Sequence, residues 1–427
     1  MFEIKKNGYH TQIFLLIIIS SYVIGFYFNE DSAGGGKIDY IDHEWGTIQL
    51  FVKNELSVAL NSHLYESSRT PLFYVINKYN PFNDSIEKLR LCWFLFSITI
   101  PFLLYSVLKV VFPKESNKNL IFIFSFIILI SPYFRTNAYW PSSENLQIFF
   151  VTLSILFYLN LINKGDKNKF DLYFLSSLST FFAYCAFYTD QKAFFLVALI
   201  YLDLIRRNNL IFFIIFSIVN LFLFLPTIYL FIAWGGIVPV ESQFRVSGHL
   251  SGTNILLSTV GIYFVLIFIS NFFNAEFRRR ISFKVFDIIL ILGLAIFIFF
   301  TLPSTPITFG SGIVSKLLGV MTVKLNYEWS VIKYIYFLIN LGFIFILLLL
   351  LKKSLKNLII FSSFLLVYNL TSISYQSYVD PIFYILILII VDFNKDVIIF
   401  DQRTSYLFLS FYSLMLSGSI IMRTYVI

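Results

Sequence analysis

The segment GGKIDYIDHEW, residues 35–45, concentrates acidic side chains in a chain that is 58% hydrophobic and only 13% charged. Its carboxylates are Asp39, Asp42 and Glu44, and Asp31 lies a few residues before them. A partly desolvated carboxylate has a raised pKa, which suits it to take a proton from a hydroxyl group. The segment therefore predicts a general base, for which Asp31, Asp39 and Asp42 are the candidates. The alternative interpretation is a solvated polar loop.

Ionisable and polar side chains interrupt the apolar sequence at several later places as well. Arg69 precedes a Thr-Pro pair, and an arginine near a membrane surface can bind a phosphate through two parallel hydrogen bonds. It could equally pair with Glu66 or with a lipid headgroup. Tight turns, solvated loops or an aromatic belt at the membrane interface would also explain the other candidate substrate contacts. These are Glu44, Arg135, Glu144, Gln191, Lys192, Arg245, His249, Tyr375, Tyr378 and Asp380.

Long apolar stretches run down the whole chain and must position these residues. Soluble domains carry roughly 25% charged residues, and a membrane-spanning helix needs about 20 apolar residues. The sequence therefore predicts an all-α polytopic membrane protein of about 11–13 transmembrane helices, forming a single domain over residues 1–427. The first stretch, 11–28, is predicted to be a retained anchor. The stretches that are short for a span lie near 120–133, 193–205, 358–372 and 382–393.

The distribution of basic residues predicts the orientation of the chain. If the N-terminus is inside, more than half of the 32 Lys and Arg residues fall on the short connections of that side. Short cytoplasmic loops are enriched in Lys and Arg, so a cytoplasmic N-terminus is predicted and GGKIDYIDHEW lies outside. The longest outer loop, 29–90, is predicted to hold the catalytic carboxylates and helices lying in the membrane interface. The Phe, Ile, Asn and Lys bias suggests an AT-rich bacterial genome, so the outer face is predicted to be the periplasmic side of a bacterial inner membrane.

Several function classes are disfavoured by what the sequence lacks. There is no GxxxxGK[ST] motif and no Rossmann glycine pattern, which argues against an ATP-driven or nucleotide-cofactor mechanism. Cys92 and Cys185 lie in apolar stretches without a disulfide or zinc pattern. No cofactor and no nucleic-acid partner are predicted. A divalent cation shared by Asp39, Asp42 and Glu44 stays an open alternative.

Five short motifs resemble, in the same order, motifs of one family of membrane enzymes. The architecture is similar to that of the GT-C glycosyltransferases, polytopic enzymes with their catalytic carboxylate on the first outer loop. More narrowly, the chain distantly resembles the dolichyl-phosphoglucose α-1,2-glucosyltransferase group and its bacterial relatives. The motifs are YIDHEWGTIQ (40–49), RTPLFY (69–74), TDQKAFF (189–195), WGGIVPVESQF (234–244) and YQSYVDPIFY (375–384).

The first and third motifs carry the residues that this resemblance singles out. Asp42 stands at the acid position of the group's Tyr-Met-Asp-Glu…Gln loop, so the resemblance implies Asp42 as the first candidate base, with Asp39 second and Asp31 third. Gln49 stands at the Gln of that loop, which adds Gln49 to the substrate contacts. Gln191 matches the Gln of the group's Arg-Gln-Thr-Asn motif. The chain departs from the pattern at His43, where the group has Glu, and at Asp190, where it has Arg.

The resemblance implies transfer of a sugar from a polyprenyl-phosphate carrier to a lipid-linked saccharide or another outer-face acceptor in envelope glycan assembly. Phosphate is already a good leaving group, so one carboxylate that deprotonates the acceptor suffices, with inversion at the sugar carbon. Arg69, Arg135, Lys192 or Arg245 would hold the phosphate. The alternatives are an O-antigen or capsule repeat-unit polymerase, a polysaccharide flippase and a non-catalytic scaffold.

Overall fold

A computed structural model of the chain describes most of its residues as helices. The described residues are 2–112, 118–163, 168–245, 250–273, 277–278, 285–303, 313–323, 325–351, 355–368, 380 and 402–425. Within them the chain contains no strand, which confirms the predicted all-α class. The candidate residues His249, Tyr375 and Tyr378 lie outside this part, as does the apolar stretch 382–393.

The first half of the chain contains thirteen α-helices and three short connecting helices of other types up to Trp234, and a fourth connecting helix follows. The α-helices are α1 Phe2–Tyr27, α2 Gly36–Asp39, α3 Trp45–Lys53, α4 Leu56–Leu60, α5 Leu72–Lys78, α6 Ile86–Ser97, α7 Thr99–Val111, α8 Lys118–Phe126, α9 Pro132–Tyr139, α10 Ser143–Asn163, α11 Lys169–Phe187, α12 Phe194–Arg207 and α13 Leu210–Trp234. A π-helical turn, Tyr40–Glu44, joins α2 to α3, and 3₁₀ helices occupy Ile127–Ile130, Gln191–Ala193 and Val240–Arg245.

The later described helices are α14 Leu250–Phe272, α15 Val285–Phe300, α16 Ile313–Val323, α17 Trp329–Leu351, α18 Leu355–Tyr368 and α19 Gln402–Tyr425. The chain divides into two compact units. The first unit is Met1–Phe244 together with Phe411–Ile427, and the second is Arg245–Ser410. The single-domain organisation stays a prediction, and the first unit holds most of the candidate site residues.

Among the described residues, seven helices are long and apolar enough to cross a membrane, which confirms the multi-pass character. They are Ile86–Val111, Ser143–Asn163, Lys169–Phe187, Leu210–Trp234, Gly252–Phe272, Trp329–Leu351 and Arg403–Ile421. An eighth span results if Asn119–Ile130 and Pro132–Tyr139, which meet at a bend of 64°, cross together. The prediction of 11–13 spans also included apolar stretches that form helices of only 10–17 residues, such as Asp287–Phe300. These are shorter than the roughly 20 residues that a bilayer core requires.

Helix α9 begins at a strong sequence signal and brings a buried arginine against α1. The Ser131 side chain caps the helix, and Pro132 occupies its first turn, where a missing N–H costs nothing. Arg135 donates hydrogen bonds to the hydroxyl and the carbonyl of Ser21, both at 2.8 Å, and pairs with Glu30. Arg135 thus joins α9 to α1 and to the beginning of the first loop.

In the second unit, α14 approaches α17 most closely at a glycine. A Cβ atom on Gly261 would overlap the ring of Phe343, whereas one on Gly293 of α15 would meet nothing within 4 Å. Overpacking typically costs about 1–3 kcal/mol, so Gly261→Ala is expected to lower the thermal unfolding temperature of the purified protein. Gly293→Ala is the matched control and should leave that temperature unchanged or raise it. Equal unfolding temperatures for the two variants would contradict this close approach.

Candidate functional site

The acidic segment is held in place by Asp31 rather than being a free loop. The Asp31 carboxylate is buried and accepts hydrogen bonds from the backbone N–H groups of Gly35, Gly36 and Lys37 at 3.1–3.2 Å. Gly35 has a φ of 92°, in the left-handed region that glycine adopts without strain. Both Asp31 oxygens are engaged with backbone, so this placement favours a structural role that starts α2.

The π-helical turn Tyr40–Glu44 continues α2 into α3 and aligns two of the segment's acids. A π-helix bonds the N–H of residue i+5 to the carbonyl of residue i, so residues five apart lie on the same side. Asp39 and Glu44 are five apart, and the two carboxylates interact electrostatically. Single π-helical turns inside α-helices are frequent at functional sites. The turn therefore presents two carboxylates together.

Glu44 meets Arg69 and a second buried glutamate. Arg69 Nη1 lies 2.9 Å from Glu44 Oε1, and Arg69 Nη2 pairs with Glu144 Oε1 in the first turn of α10. The other oxygen of Glu44 accepts a hydrogen bond of 2.6 Å from the Tyr74 hydroxyl. The exposed fractions are 16% for Arg69, 14% for Glu44 and 5% for Glu144. One guanidinium thus connects three separate segments of the chain.

A lysine from a third connection, 12% exposed, completes this group. The Asp190 side chain caps the 3₁₀ helix Gln191–Ala193 by accepting from the Lys192 N–H at 2.9 Å. Lys192 Nζ lies 3.8 Å from Asp190 Oδ2 and interacts electrostatically with Arg69 and Glu144. We call the following five residues the charge cluster: Asp39, Glu44, Arg69, Glu144 and Lys192.

Burial sets the protonation behaviour of the cluster. Desolvation raises the pKa of Glu44 above its ordinary value, although Arg69 and the Tyr74 hydrogen bond oppose that shift. Desolvation also lowers the pKa of Lys192, with Asp190 opposing. The Asp39 side chain is exposed to solvent. The surrounding protein nevertheless desolvates it in part, which raises its pKa against the opposing charge of Arg69. The pKa values of Asp39 and Glu44 are therefore raised, the direction that favours proton acceptance.

The three candidate bases occupy different environments. Asp39 interacts with Arg69 and Glu144, so it belongs to the cluster. The Asp42 side chain is exposed on the π-helical turn and, like that of Asp39, makes no hydrogen bond or ion pair with the part of the chain that the structure describes. The charges of Arg69 and Glu144 that act on Asp39 favour it over Asp42, and the choice of base stays a prediction.

The other predicted contacts are distributed over both units. Gln49 Nε2 donates to the Asn83 carbonyl at 2.9 Å, and Gln191 Nε2 donates to the Ser68 and Ile237 carbonyls at 2.7 and 3.2 Å. These amides connect loops of the first unit. Arg135 lies in the Glu30 pair and not in the cluster. Arg245 ends a 3₁₀ helix, and the structure describes its backbone only. Asp380 is buried in the second unit.

Tyr74 is a cluster contact that the sequence did not single out. A tyrosine in an apolar stretch beside a membrane is usually part of an interfacial belt, so no local signal pointed to Glu44. Among the described residues, no group of three or more His, Cys, Asp or Glu side chains could hold a metal ion. Arg69 is instead the cation between Glu44 and Glu144. The expectation of no cofactor stays a prediction.

Comparison of the chain with protein-family models, curated proteins and solved structures finds no match. The comparisons therefore assign no family to the chain. The resemblance to the GT-C glycosyltransferases stays a hypothesis that rests on the motifs quoted above. The charge cluster is a separate observation, which does not depend on that resemblance.

The Tyr74 hydrogen bond can be tested on its own. Tyr74→Phe leaves a buried oxygen of Glu44 without its donor, which costs about 1–3 kcal/mol. We expect a lower thermal unfolding temperature for this variant in detergent. Tyr79→Phe is the matched control, because Tyr79 is 76% exposed and should tolerate the change. An unfolding temperature for Tyr74→Phe equal to that of the control would contradict the hydrogen bond.

Proposed function

We propose that the protein is a membrane glycosyltransferase. It moves a sugar from a polyprenyl-phosphate carrier to a lipid-linked saccharide or another acceptor on the outer, periplasmic face of a bacterial inner membrane. The observation that supports this best is the charge cluster, in which carboxylates with raised pKa and two cations converge from three connections. The neighbouring spans are apolar enough to accommodate a polyprenyl chain within the bilayer.

In this proposal Asp39 is the general base. It is the cluster carboxylate with an exposed surface, so an acceptor hydroxyl can reach it, and its raised pKa favours proton transfer near neutral pH. Deprotonation of the acceptor on the face opposite the leaving phosphate gives an inverting displacement. The carbon–oxygen bond to the acceptor forms as the bond to the phosphate oxygen breaks.

Glu144 is suited to bind a sugar hydroxyl. Its Oε1 pairs with Arg69, whereas its buried Oε2 has no hydrogen-bond partner in the described part of the chain. A buried acceptor without a donor costs free energy, which a substrate hydroxyl would recover. Arg69 and Lys192 then supply the positive charge that favours phosphate departure, with Arg69 fixed in place by its two glutamates.

The segment around the cluster also exposes apolar side chains that suit contact with the membrane interface. Helices α2 to α4 and their connections expose several large apolar residues by 42–58%, where a solvated loop would carry polar ones. Such surfaces bind at the boundary of headgroups and acyl chains. This arrangement would keep the acceptor and the base at the depth of the carrier's phosphate. The residues are Ile38, Ile41, Leu56, Val58 and Leu64.

The proposal is tested with purified protein in lipid, a panel of radiolabelled polyprenyl-phosphate sugars and extracted lipid-linked acceptors. Transfer of one label to an acceptor, releasing polyprenyl phosphate, is the expected result. Joining of lipid-linked repeat units into longer chains would replace the proposal with a polymerase. Movement of intact lipid-linked saccharide across the bilayer without transfer would replace it with a flippase.

A further inference from the structure

Arg90 is a buried cation outside the charge cluster that forms no ion pair within the described part of the chain. It lies in α6, just after the start of the span Ile86–Val111, and is 8% exposed. Its Nε donates to the Tyr139 carbonyl at 2.7 Å, and its Cζ lies 3.6 Å from the centroid of the Trp140 ring. Its Nη2 atom is buried and has no hydrogen-bond partner there.

Tyr40 provides a second buried donor in the same surroundings. It is 1% exposed, and its hydroxyl has no hydrogen-bond partner among the described residues. Its ring centroid lies 6.4 Å from that of Trp140, the ring that also contacts Arg90. Tyr40 and Arg90 interact electrostatically. Two donors that lack an acceptor therefore share one environment.

Charged side chains of both signs lie around this pair: Glu44 and Glu87 act electrostatically on Tyr40, and Glu44 is already paired with Arg69. The Lys37 ammonium lies 5.4 Å from the Trp140 ring centroid and adds a second positive charge. Glu87, one turn before Arg90, interacts with it electrostatically but is exposed and makes no ion pair with it among the described contacts. Contact with aromatic rings compensates only part of the free-energy cost of desolvating a guanidinium. The paired N–H groups of a guanidinium match the oxygens of a phosphate.

We propose that Arg90 and Tyr40 bind the phosphate group of a membrane lipid. Arg90 lies near the start of a span, at the level expected for headgroups, and the neighbouring surface of α6 is apolar and exposed at Leu91 and Leu95, by 47% and 54%. A lipid lying against that surface would place its phosphate at the depth of Arg90, and binding requires that the buried donors of Arg90 and Tyr40 become accessible to it. The phosphate belongs either to a phospholipid of the bilayer or to a polyprenyl phosphate. This site does not depend on the proposed sugar transfer.

The test is native mass spectrometry of the full-length protein in detergent. The protein is titrated with phosphatidylglycerol, with polyprenyl phosphate and with diacylglycerol, which lacks the phosphate. We expect retention of a phosphate-bearing lipid and not of diacylglycerol. Arg90→Gln should weaken retention by about 10-fold or more, and Tyr40→Phe by about 5-fold, because each loses a hydrogen bond to an ion. Lys88→Gln is the control, since Lys88 is an exposed cation on the same helix paired with Asp84.

A thermal-shift measurement separates lipid binding from a purely structural role. Arg90→Gln removes a buried charge but also the hydrogen bond to the Tyr139 carbonyl, so the unfolding temperature of each protein without lipid is the reference for its own lipid-dependent shift. Added lipid should raise the unfolding temperature of wild type and of Lys88→Gln only. If the protein retains phosphatidylglycerol, the ligand is a phospholipid of the bilayer. If it retains only polyprenyl phosphate, the ligand is that carrier lipid. Equal lipid retention by Arg90→Gln and wild type, or an equal lipid-dependent shift, would overturn the proposal.

Discussion

Replacing Arg69 with glutamine is expected to cause a large loss of stability in the first unit. The substitution leaves Glu44 and Glu144, which are 14% and 5% exposed, facing each other without the cation between them. Removing one partner of a buried ion pair costs about 3–5 kcal/mol, because the remaining charge stays desolvated. A lower thermal unfolding temperature in detergent is the measurement that checks this.

Two further variants show whether charge or packing causes the loss. The triple variant Arg69→Gln, Glu44→Gln, Glu144→Gln removes both uncompensated charges and should recover most of the unfolding temperature. Lys88→Gln is the control, because Lys88 and Asp84 form an i,i+4 pair that is 57% and 62% exposed, where such pairs contribute little to stability. If Arg69→Gln unfolds at the temperature of Lys88→Gln, the buried pair does not stabilise the fold.

Asp39→Asn is expected to cause the largest loss of activity. Loss of a positioned general base lowers a rate by about 10²–10⁴-fold, while the amide preserves the size of the side chain. The rate of sugar transfer should therefore fall without loss of folding. Because the pKa of Asp39 is raised, the acid limb of the wild-type pH–rate profile should lie above the ordinary range of an aspartate. An acid limb in the ordinary range would contradict Asp39 as the base.

The stability of Asp39→Asn should move in the opposite direction from its activity. An aspartate with a raised pKa in the folded state binds more protons there than in the unfolded state, between the two pKa values. Stability therefore falls as pH rises through that window, and the ionised Asp39 is unfavourable at neutral pH. The asparagine variant should unfold at the wild-type temperature or slightly above it at pH 7, and below the window the difference should vanish. A clear fall in unfolding temperature at pH 7 would indicate a structural role.

The helical class and multi-pass character follow directly from the sequence, because long apolar stretches leave a helix as the simplest way to satisfy the backbone in lipid. The number of spans did not follow as closely. Apolar composition marks a stretch but does not fix where its helix ends, as the bend after Ile130 illustrates. No change of composition along the sequence predicted the division of the chain into two compact units.

The site was predictable in its residue types and not in its pairings. Arg69, Glu44 and Glu144 were each singled out as polar residues in an apolar chain, yet their convergence depends on contacts 25 and 75 residues apart in sequence. Asp42 ranked above Asp39 because of the motif resemblance, whereas Asp39, at the start of the π-helical turn, is the acid on which the charges of Arg69 and Glu144 act. An i to i+5 turn has no clear sequence signature, so that order could not be derived.

The most direct test of the account compares initial rates of sugar transfer by wild type, Asp39→Asn and Asp42→Asn in one lipid preparation. The labelled donor is the one that wild type accepts. If Asp39 is the general base, the rate of Asp39→Asn falls by about 10²–10⁴-fold, while that of Asp42→Asn stays within a few-fold of wild type. All three proteins should be folded. Full activity of Asp39→Asn would contradict the role assigned to the charge cluster, whether or not Asp42→Asn loses activity.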